Sequence, residues 1–573
     1  MINPFVSFLS KYGRTCDNEA AFFESIYQAA NELKVRIPEF EHPKLATLVQ
    51  IFSNDPRSVV LTGNAGDGKT HLCQTAIKQI CDITGQKLPE LKDSGEQCIK
   101  LKDGKKLIII KDFTARPITD RAAILDRLAR SVFASQPEEY FLIAANEGIF
   151  TRQAHETGQE RGGSLKRFSE MIEDMINMGH ENHNTNQHFA LYDLSRFPAF
   201  ENLDRVMKAV FDHEGWEPCE DCDRKSSTEG ARACLIYHNY EKLKNPLVQK
   251  RLKELVQMLD WNSDHLTVRH LFGLVVNAIL GHRRAPSDEP LIRNCNHQYS
   301  RQEFKNSSIR DGAYYQNIFG NNLRRVTPVK PFDNLSRLMV GDETNNRVDK
   351  LLVFGDIHEN LKEKFAELLP DNDLTFDYKR FRQLQRGYRE GDEAVIPEFL
   401  DELKAQRRRI YFELPTSYEN DFHLCELTAF QASTMYRSKI YEPLMNKKAI
   451  SPDILRKLVL GLNRIFVGGL IDSTDNVYLT TSGRSSQEKL ANLLITQIPH
   501  NPDFKTGVRV ISSPRGGIGG FSADLEVYAS TNSFGKIQLT LSRFEFLIRV
   551  SDGVLPASFS MQQYEDFVVF KSQ

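Results

Sequence analysis

The chain has 573 residues, more than one hydrophobic core can serve, so roughly three or four domains are expected. It is 40% hydrophobic and 26% charged with a net charge of only −2, which excludes a globally basic nucleic-acid binder; any DNA contact must come from a local patch or through a partner. Its nine cysteines form no regular disulfide framework and Met1-Ile2-Asn3-Pro4 opens no secretory pattern. The longest apolar helix candidate, 271–280, falls well short of the about 18 residues a membrane span needs, so a cytoplasmic protein without membrane contact is expected.

Residues 1–57 read as a helical N-terminal segment, with amphipathic stretches at 20–33 and 42–52. Val59, Val60 and Leu61 then form an apolar run fit for a buried strand. It leads into Gly63-Asn64-Ala65-Gly66-Asp67-Gly68-Lys69-Thr70, which matches G-x-x-x-x-G-K-[ST]. After it comes His71 and a helical pattern with Leu72, Ala76 and Ile80 on one face. The chemistry follows from the residue types. Glycines let the backbone approach an anion, loop amides and the positive end of the helix cradle phosphates, Lys69 reaches the outer phosphates and Thr70 offers its hydroxyl to Mg²⁺. The expected cofactors are ATP and Mg²⁺.

Beyond the loop helix, an Asp103-Gly104 pair between 97–102 and 105–111 predicts a hairpin whose second arm ends in Lys111-Asp112-Phe113. A helix over 120–133 and a strand over 140–145 follow, the strand ending in Asn146-Glu147-Gly148. A helix over 164–178 then leads to a strand over 188–192 that runs into Asp193 and Arg196. Strands alternating with helices predict a three-layer parallel sheet with its ligand at the carboxyl ends of the strands, where Gly63, Asp112 and Asn146 fall.

This order of parts resembles the additional-strand, AAA-like class of P-loop ATPases over about 58–280. The resemblance implies that Asp112 is the Walker B acid holding Mg²⁺ through water and that Asn146 is the sensor orienting the attacking water. Such enzymes carry a glutamate directly after the Walker B aspartate, whereas this chain has Phe113. Three readings stay open: Glu147 takes that role, Asp193 is the true Walker B acid, or hydrolysis is slow. Thr267 caps a predicted lid helix with Leu271, Leu274, Val275 and Ala278 inward. On it Arg269 reads either as a sensor-2 arginine or as a solvated side chain. Arg152 and Arg196 are arginine-finger candidates.

Between sheet and lid, Cys219, Cys222, Cys234 and His238 stand in the spacing C-x2-C-x11-C-x3-H, which suits a structural Zn²⁺ with His213 as an alternative fourth ligand; three reduced cysteines are the other reading. Asp356 and His358 imitate a metallophosphoesterase opening but lack its later partners, and His180 and His183 have the wrong spacing for H-E-x-x-H. The basic run 404–409 reads as a solvated helix face or a phosphate-contacting patch. Strands expected over 476–480, 508–511, 523–528, 537–541 and 545–550 make a small C-terminal β domain suited to binding a partner or DNA. The segments read as 1–57 helical, 58–205 ATPase core, 206–290 cysteine-rich insertion and lid, 291–450 mainly helical, and 451–573 β-rich.

The combination of the loop 63–70, Ala144-Ala145-Asn146-Glu147-Gly148, the cysteine insertion, Leu266-Thr267-Val268-Arg269 and the ending Leu539-Thr540-Leu541-Ser542-Arg543-Phe544 resembles the DptF family, the ATPase component of bacterial phosphorothioation-dependent DNA restriction systems. The resemblance implies a role in attacking DNA that lacks backbone sulfur, together with other restriction subunits and in contact with DNA directly or through them, with an oligomer compatible.

Overall fold

The computed structural model describes residues 3–10, 26, 28–88, 95–178, 188–223, 234–280, 282–283, 291–292, 310–321, 329–370, 373–467, 470–481, 494–499, 507–514, 521–528 and 533–554. Its central element is β1 (Ser58–Thr62), buried at every position. β4 (Glu139–Ala144) and β5 (Phe189–Asp193) flank it in parallel, with Val60 paired to Ile143 on one side and Leu191 on the other. β3 (Lys106–Ile110) lies outside β4 in parallel, and β2 (Gln97–Lys100) closes that edge antiparallel, giving the order β2-β3-β4-β1-β5. The hairpin turns at Asp103-Gly104, where Gly104 takes φ 81°, so the sheet is mixed but mostly parallel.

Both faces of the sheet are covered, which is why its parallel strands are nearly all apolar. Side chains alternate between the faces. Val59, Leu61, Leu107, Ile109 and Leu142 pack under α2 (Leu45–Asn54) and α3 (Lys69–Thr84). On the opposite face Val60, Ile108, Ile110, Phe141 and Ile143 meet α4 (Ile118–Phe133), α5 (Glu147–Arg161) and α6 (Gly163–Met178). These two layers draw on residues from Leu45 to Leu194.

A separate continuous core gathers α1 (Pro4–Leu9), α7 (Ala199–Phe211), α8 (Leu235–Lys244), α9 (Pro246–Trp261) and α10 (Val268–Leu280). It continues through α11 (Ile396–Glu413) and α12 (Pro452–Val467) to α13 (Leu541–Ser551). The C-terminal strands form a hairpin of β6 (Asn476–Thr481) with β7 (Leu494–Pro499) and an antiparallel sheet of β8 (Gly507–Pro514), β9 (Phe521–Tyr528) and β10 (Ser533–Gln538). No helix among the described residues is long and apolar enough to cross a membrane.

Two expectations need correction. The strand expected over 545–550 is helical: Thr540 caps α13 by accepting from the Arg543 amide at 3.3 Å, and the apolar run that follows is long enough to face the core on most sides. The arginine run is neither a solvated face nor a phosphate patch, since Arg407, Arg408 and Arg409 on α11 are 8%, 4% and 0% exposed. Arg407 forks onto Asp349 at 2.6 and 2.8 Å, and Arg408 donates to the Val340 carbonyl and the Gln316 amide oxygen. Arg409 donates to the Leu368 carbonyl and lies over the Phe376 ring.

Candidate nucleotide site

The loop that leaves β1 is shaped by three glycines with positive φ, Gly63 at 141°, Gly66 at 93° and Gly68 at 84°. Only glycine takes such angles without strain. Asp67, 3% exposed, folds the loop on itself by accepting from the Asn64 amide at 2.6 Å through Oδ2. α3 starts at Lys69, directly after left-handed Gly68, so its first amides open toward the loop. The Lys69 ammonium bends back and donates to the carbonyls of Gly63 at 2.9 Å and Asn64 at 2.6 Å. Asn64, Ala65 and Thr70 are exposed beside it, and His71 is half-buried.

The lid helix α10 docks on this loop by its N-terminal end. The Arg269 amide donates to the Gly66 carbonyl at 3.2 Å, and His265 Nε2 meets Asp67 Oδ1 at 2.8 Å. Burial alone would lower the His265 pKa, but the Asp67 hydrogen bond and charge, with Asp260 and Asp193, raise it above the ordinary histidine value. Thr267 caps α10 as expected: its hydroxyl accepts from the His270 amide, while His270 Nδ1 accepts from the Thr267 amide. Burial pushes His270 down to about 4, which keeps that imidazole neutral and able to accept. Leu271, Leu274, Val275 and Ala278 are all buried. Arg269 therefore sits against the loop rather than on an open face.

Between segment 37–42, the loop and the lid lies a mainly apolar cleft lined by Ile37, Phe40, His42, His71, Val268 and Phe272. His42 is kept neutral, pushed down to about 3 by burial and by the neighbouring Arg205 and Lys44 charges, and its Nδ1 accepts from the Lys44 amide.

The acids expected at the strand ends fall into two groups. Asp112 is exposed, and its Oδ1 accepts from the amides of Thr114 at 2.8 Å and Ala115 at 3.1 Å, so this oxygen caps a turn. Phe113 after it is fully buried and packs edge-on against Phe150. Asn146 caps α5 by accepting from the Ile149 amide, and its own amide donates to the Thr114 hydroxyl at 3.1 Å, joining the ends of β3 and β4.

Glu147 and Asp193 form the second group. They come from β4 and β5 on either side of β1 and interact directly: burial and the Asp193 charge raise the Glu147 pKa, against the pull of Arg196. Asp193 Oδ1 accepts from the Ser195 amide at 3.0 Å and hydroxyl at 2.7 Å, and Oδ2 pairs with Arg196 Nε at 2.8 Å. A Cβ built on Gly63 would lie 3.2 Å from the Ser195 nitrogen, so this acid turn abuts the first glycine of the loop. Arg152 is exposed on α5.

Set against known protein families, curated proteins and solved structures, the chain matches none.

The candidate zinc ligands of the cysteine insertion have other neighbours as well. Cys219 Sγ accepts from Asn3 Nδ2 at 3.1 Å. Burial, with the Cys219 and Cys222 charges, pushes the Cys234 thiol up to about 11. His238 Nε2 lies 3.9 Å from Asp373 Oδ1. His213 is committed through both ring nitrogens, to the Gly215 amide and the Arg36 carbonyl, and stacks on Phe5. Among the described residues no three His, Cys, Asp or Glu side chains gather as a metal site. The imitation of a phosphoesterase dyad resolves as an ion-pair cluster, Asp356 being held by Arg382 at 2.6 Å and Arg389 at 2.7 Å. His180 and His183 lie outside the described residues.

His265 escaped the sequence reading. Asp67, its partner, stands 198 positions away, and the one local clue is that His265 lies two residues before the Thr267 cap.

Proposed function

We propose that the chain binds ATP with Mg²⁺ in the loop 63–70 and hydrolyses it as a P-loop ATPase of the additional-strand, AAA-like class. The observation that carries this reading is the glycine loop opening from buried β1 into the N-terminus of α3, with the Lys69 ammonium folded over its carbonyls. That ammonium would exchange two carbonyls for phosphate oxygens. The position of β4 between β1 and β3 supports the class, because that inserted strand defines it. The cleft at Phe40, His42 and Phe272 has the apolar walls a nucleobase needs, and Arg269 in the first turn of the lid lines it beside Gly66.

Thr70 supplies the hydroxyl that would hold Mg²⁺, with Asp112 a carboxylate that would act through water while Oδ1 caps its turn. Bound Mg²⁺ supplies charge neutralisation between the outer phosphates. The wider role, ATPase subunit of a phosphorothioation-dependent restriction complex that attacks unmodified DNA with partner subunits, rests on the sequence resemblance. A second reading, a nucleotide-gated switch with little turnover, is favoured by Phe113, which fills the place of the expected glutamate and is wholly buried.

The test is ATP binding and phosphate release by the full chain, with and without Mg²⁺ and duplex DNA, beside Lys69→Ala. Binding weakened about tenfold or more in the variant is expected; an unchanged variant would overturn the nucleotide reading. Stimulation by DNA supports direct DNA contact, and binding without turnover supports the switch. In cells Lys69→Ala should abolish restriction, and full restriction by the variant would remove the restriction role.

A further inference from the structure

The acid that activates water in this site has to come from somewhere other than the residue after Asp112, since Phe113 is buried in the sheet core with its ring on Phe150. Asp112 itself spends Oδ1 on two backbone amides. The only other carboxylates the strand ends bring to the base of the loop, among the described residues, are Glu147 and Asp193. β4 and β5 are the two immediate neighbours of β1, so the acids that end them face each other across the tip of the strand from which the phosphate loop springs. Contact between the Asp193 turn and the loop is direct, through Ser195 and Gly63.

The two carboxylates are not equivalent. Asp193 is held through both oxygens: one accepts from the Ser195 amide and hydroxyl, and the other is held by Arg196. It cannot move without undoing that turn. Glu147 stands in the first turn of α5, half-buried, beside an acid that is paired with its own arginine. Arg196 draws on Glu147 as well as on Asp193, yet burial and the Asp193 charge and hydrogen bond outweigh that pull, so Glu147 stands against a like charge beside an anion-binding loop. Such an arrangement costs stability and makes the carboxylate a better base.

We propose that Glu147 is the catalytic carboxylate that takes the proton from the attacking water, and that Asp193 is a positioning residue that holds it over the base of the loop. This rests on the reading of the site as a nucleotide hydrolase. In the step, the water oxygen forms a bond to the γ-phosphorus as the bond from that phosphorus to the β,γ-bridging oxygen breaks. The bonding pair leaves with ADP, and the water proton passes to the Glu147 carboxylate and from there to the phosphate product or solvent.

The experiment measures ATP binding by calorimetry and phosphate release in the full chain for the wild type, Glu147→Gln and Asp193→Asn. Glu147→Gln is expected to bind ATP as the wild type does while phosphate release falls about 100-fold or more. Asp193→Asn should retain binding and lower turnover, and the acid limb of its pH–rate profile should move to lower pH because the like charge beside Glu147 is gone; a merely structural role would leave that limb in place. Turnover by Glu147→Gln near the wild-type rate overturns the inference, as does loss of ATP binding in that variant, which would make Glu147 part of the loop's support. Wild-type binding without turnover overturns it too while leaving the nucleotide reading intact. A wild type that binds no ATP overturns the nucleotide reading itself.

Discussion

Gly66 and Gly68 both have positive φ, at 93° and 84°, yet they are constrained differently. A Cβ on Gly66 would come within 2.9 Å of the Thr267 hydroxyl and 3.2 Å of the Arg269 Cβ, whereas one on Gly68 would meet nothing within 4 Å. Gly68→Ala should cost only the backbone penalty of about 1–2 kcal/mol. Gly66→Ala pays the same penalty and also pushes the lid off the loop. Thermal unfolding and ATP titration of the two variants should therefore separate them, Gly66→Ala losing more stability and more affinity. Equal losses would mean that the lid does not rest on Gly66.

At the scale of elements, the lid is clasped to the loop by the half-buried His265 and its buried partner Asp67. The His265 pKa is raised, so the stabilisation it supplies is fully present below about 6.5, the unfolded value, and is lost as pH rises through the higher folded value. Asp67, Asp260 and Asp193 all face the imidazole and act in the same direction. The wild type should lose thermal stability from about pH 6 to about pH 9 by more than His265→Ala does; parallel profiles would exclude the clasp as a source of that dependence.

Much at this scale was legible beforehand. The hairpin at Asp103-Gly104, the loop between β1 and α3 and the Thr267 cap rest on local chemistry within a few residues, and each stands where the residues pointed. The clasp and the meeting of Glu147 with Asp193 were not legible, because both depend on which strands and loops become neighbours, and strand order is not written in any one segment. α13 was misread because Glu545–Val550 is a short apolar run that suits either period; the distinguishing feature was the cap at Thr540, which lies before it. The arginine run misled for a related reason. Three consecutive helical residues point about 100° apart, and each found its own buried partner on a distant segment: Asp349, Gln316 with Val340, and Leu368.

Across the whole molecule, α8 and α11 are joined by a partly buried polar network. Lys242 donates to Asp373 at 3.0 Å and to Glu413 at 2.7 Å, and Tyr314 donates to Glu413 at 3.0 Å. Burial would raise the Asp373 pKa, but Lys242, Arg409 and His238 outweigh it and hold the carboxyl below the usual carboxylate range. Its stabilisation is then present above about pH 3.9, the unfolded value, and lost as pH falls toward the lower folded one. Asp373→Ala leaves the half-buried Lys242 short of one partner and should cost about 1–3 kcal/mol in urea unfolding; a cost near zero would show that Lys242 is satisfied by Glu413 alone. Through this network and the apolar side chains around it, the lid shares one core with α11, α12, α13 and the C-terminal strands, while the sheet from Leu45 to Leu194 packs on cores of its own. The cleft at Phe40 and Phe272 is therefore the seam between two separately packed bodies. A ligand seated there would press on both bodies at once, and close-packed interiors transmit strain instead of absorbing it.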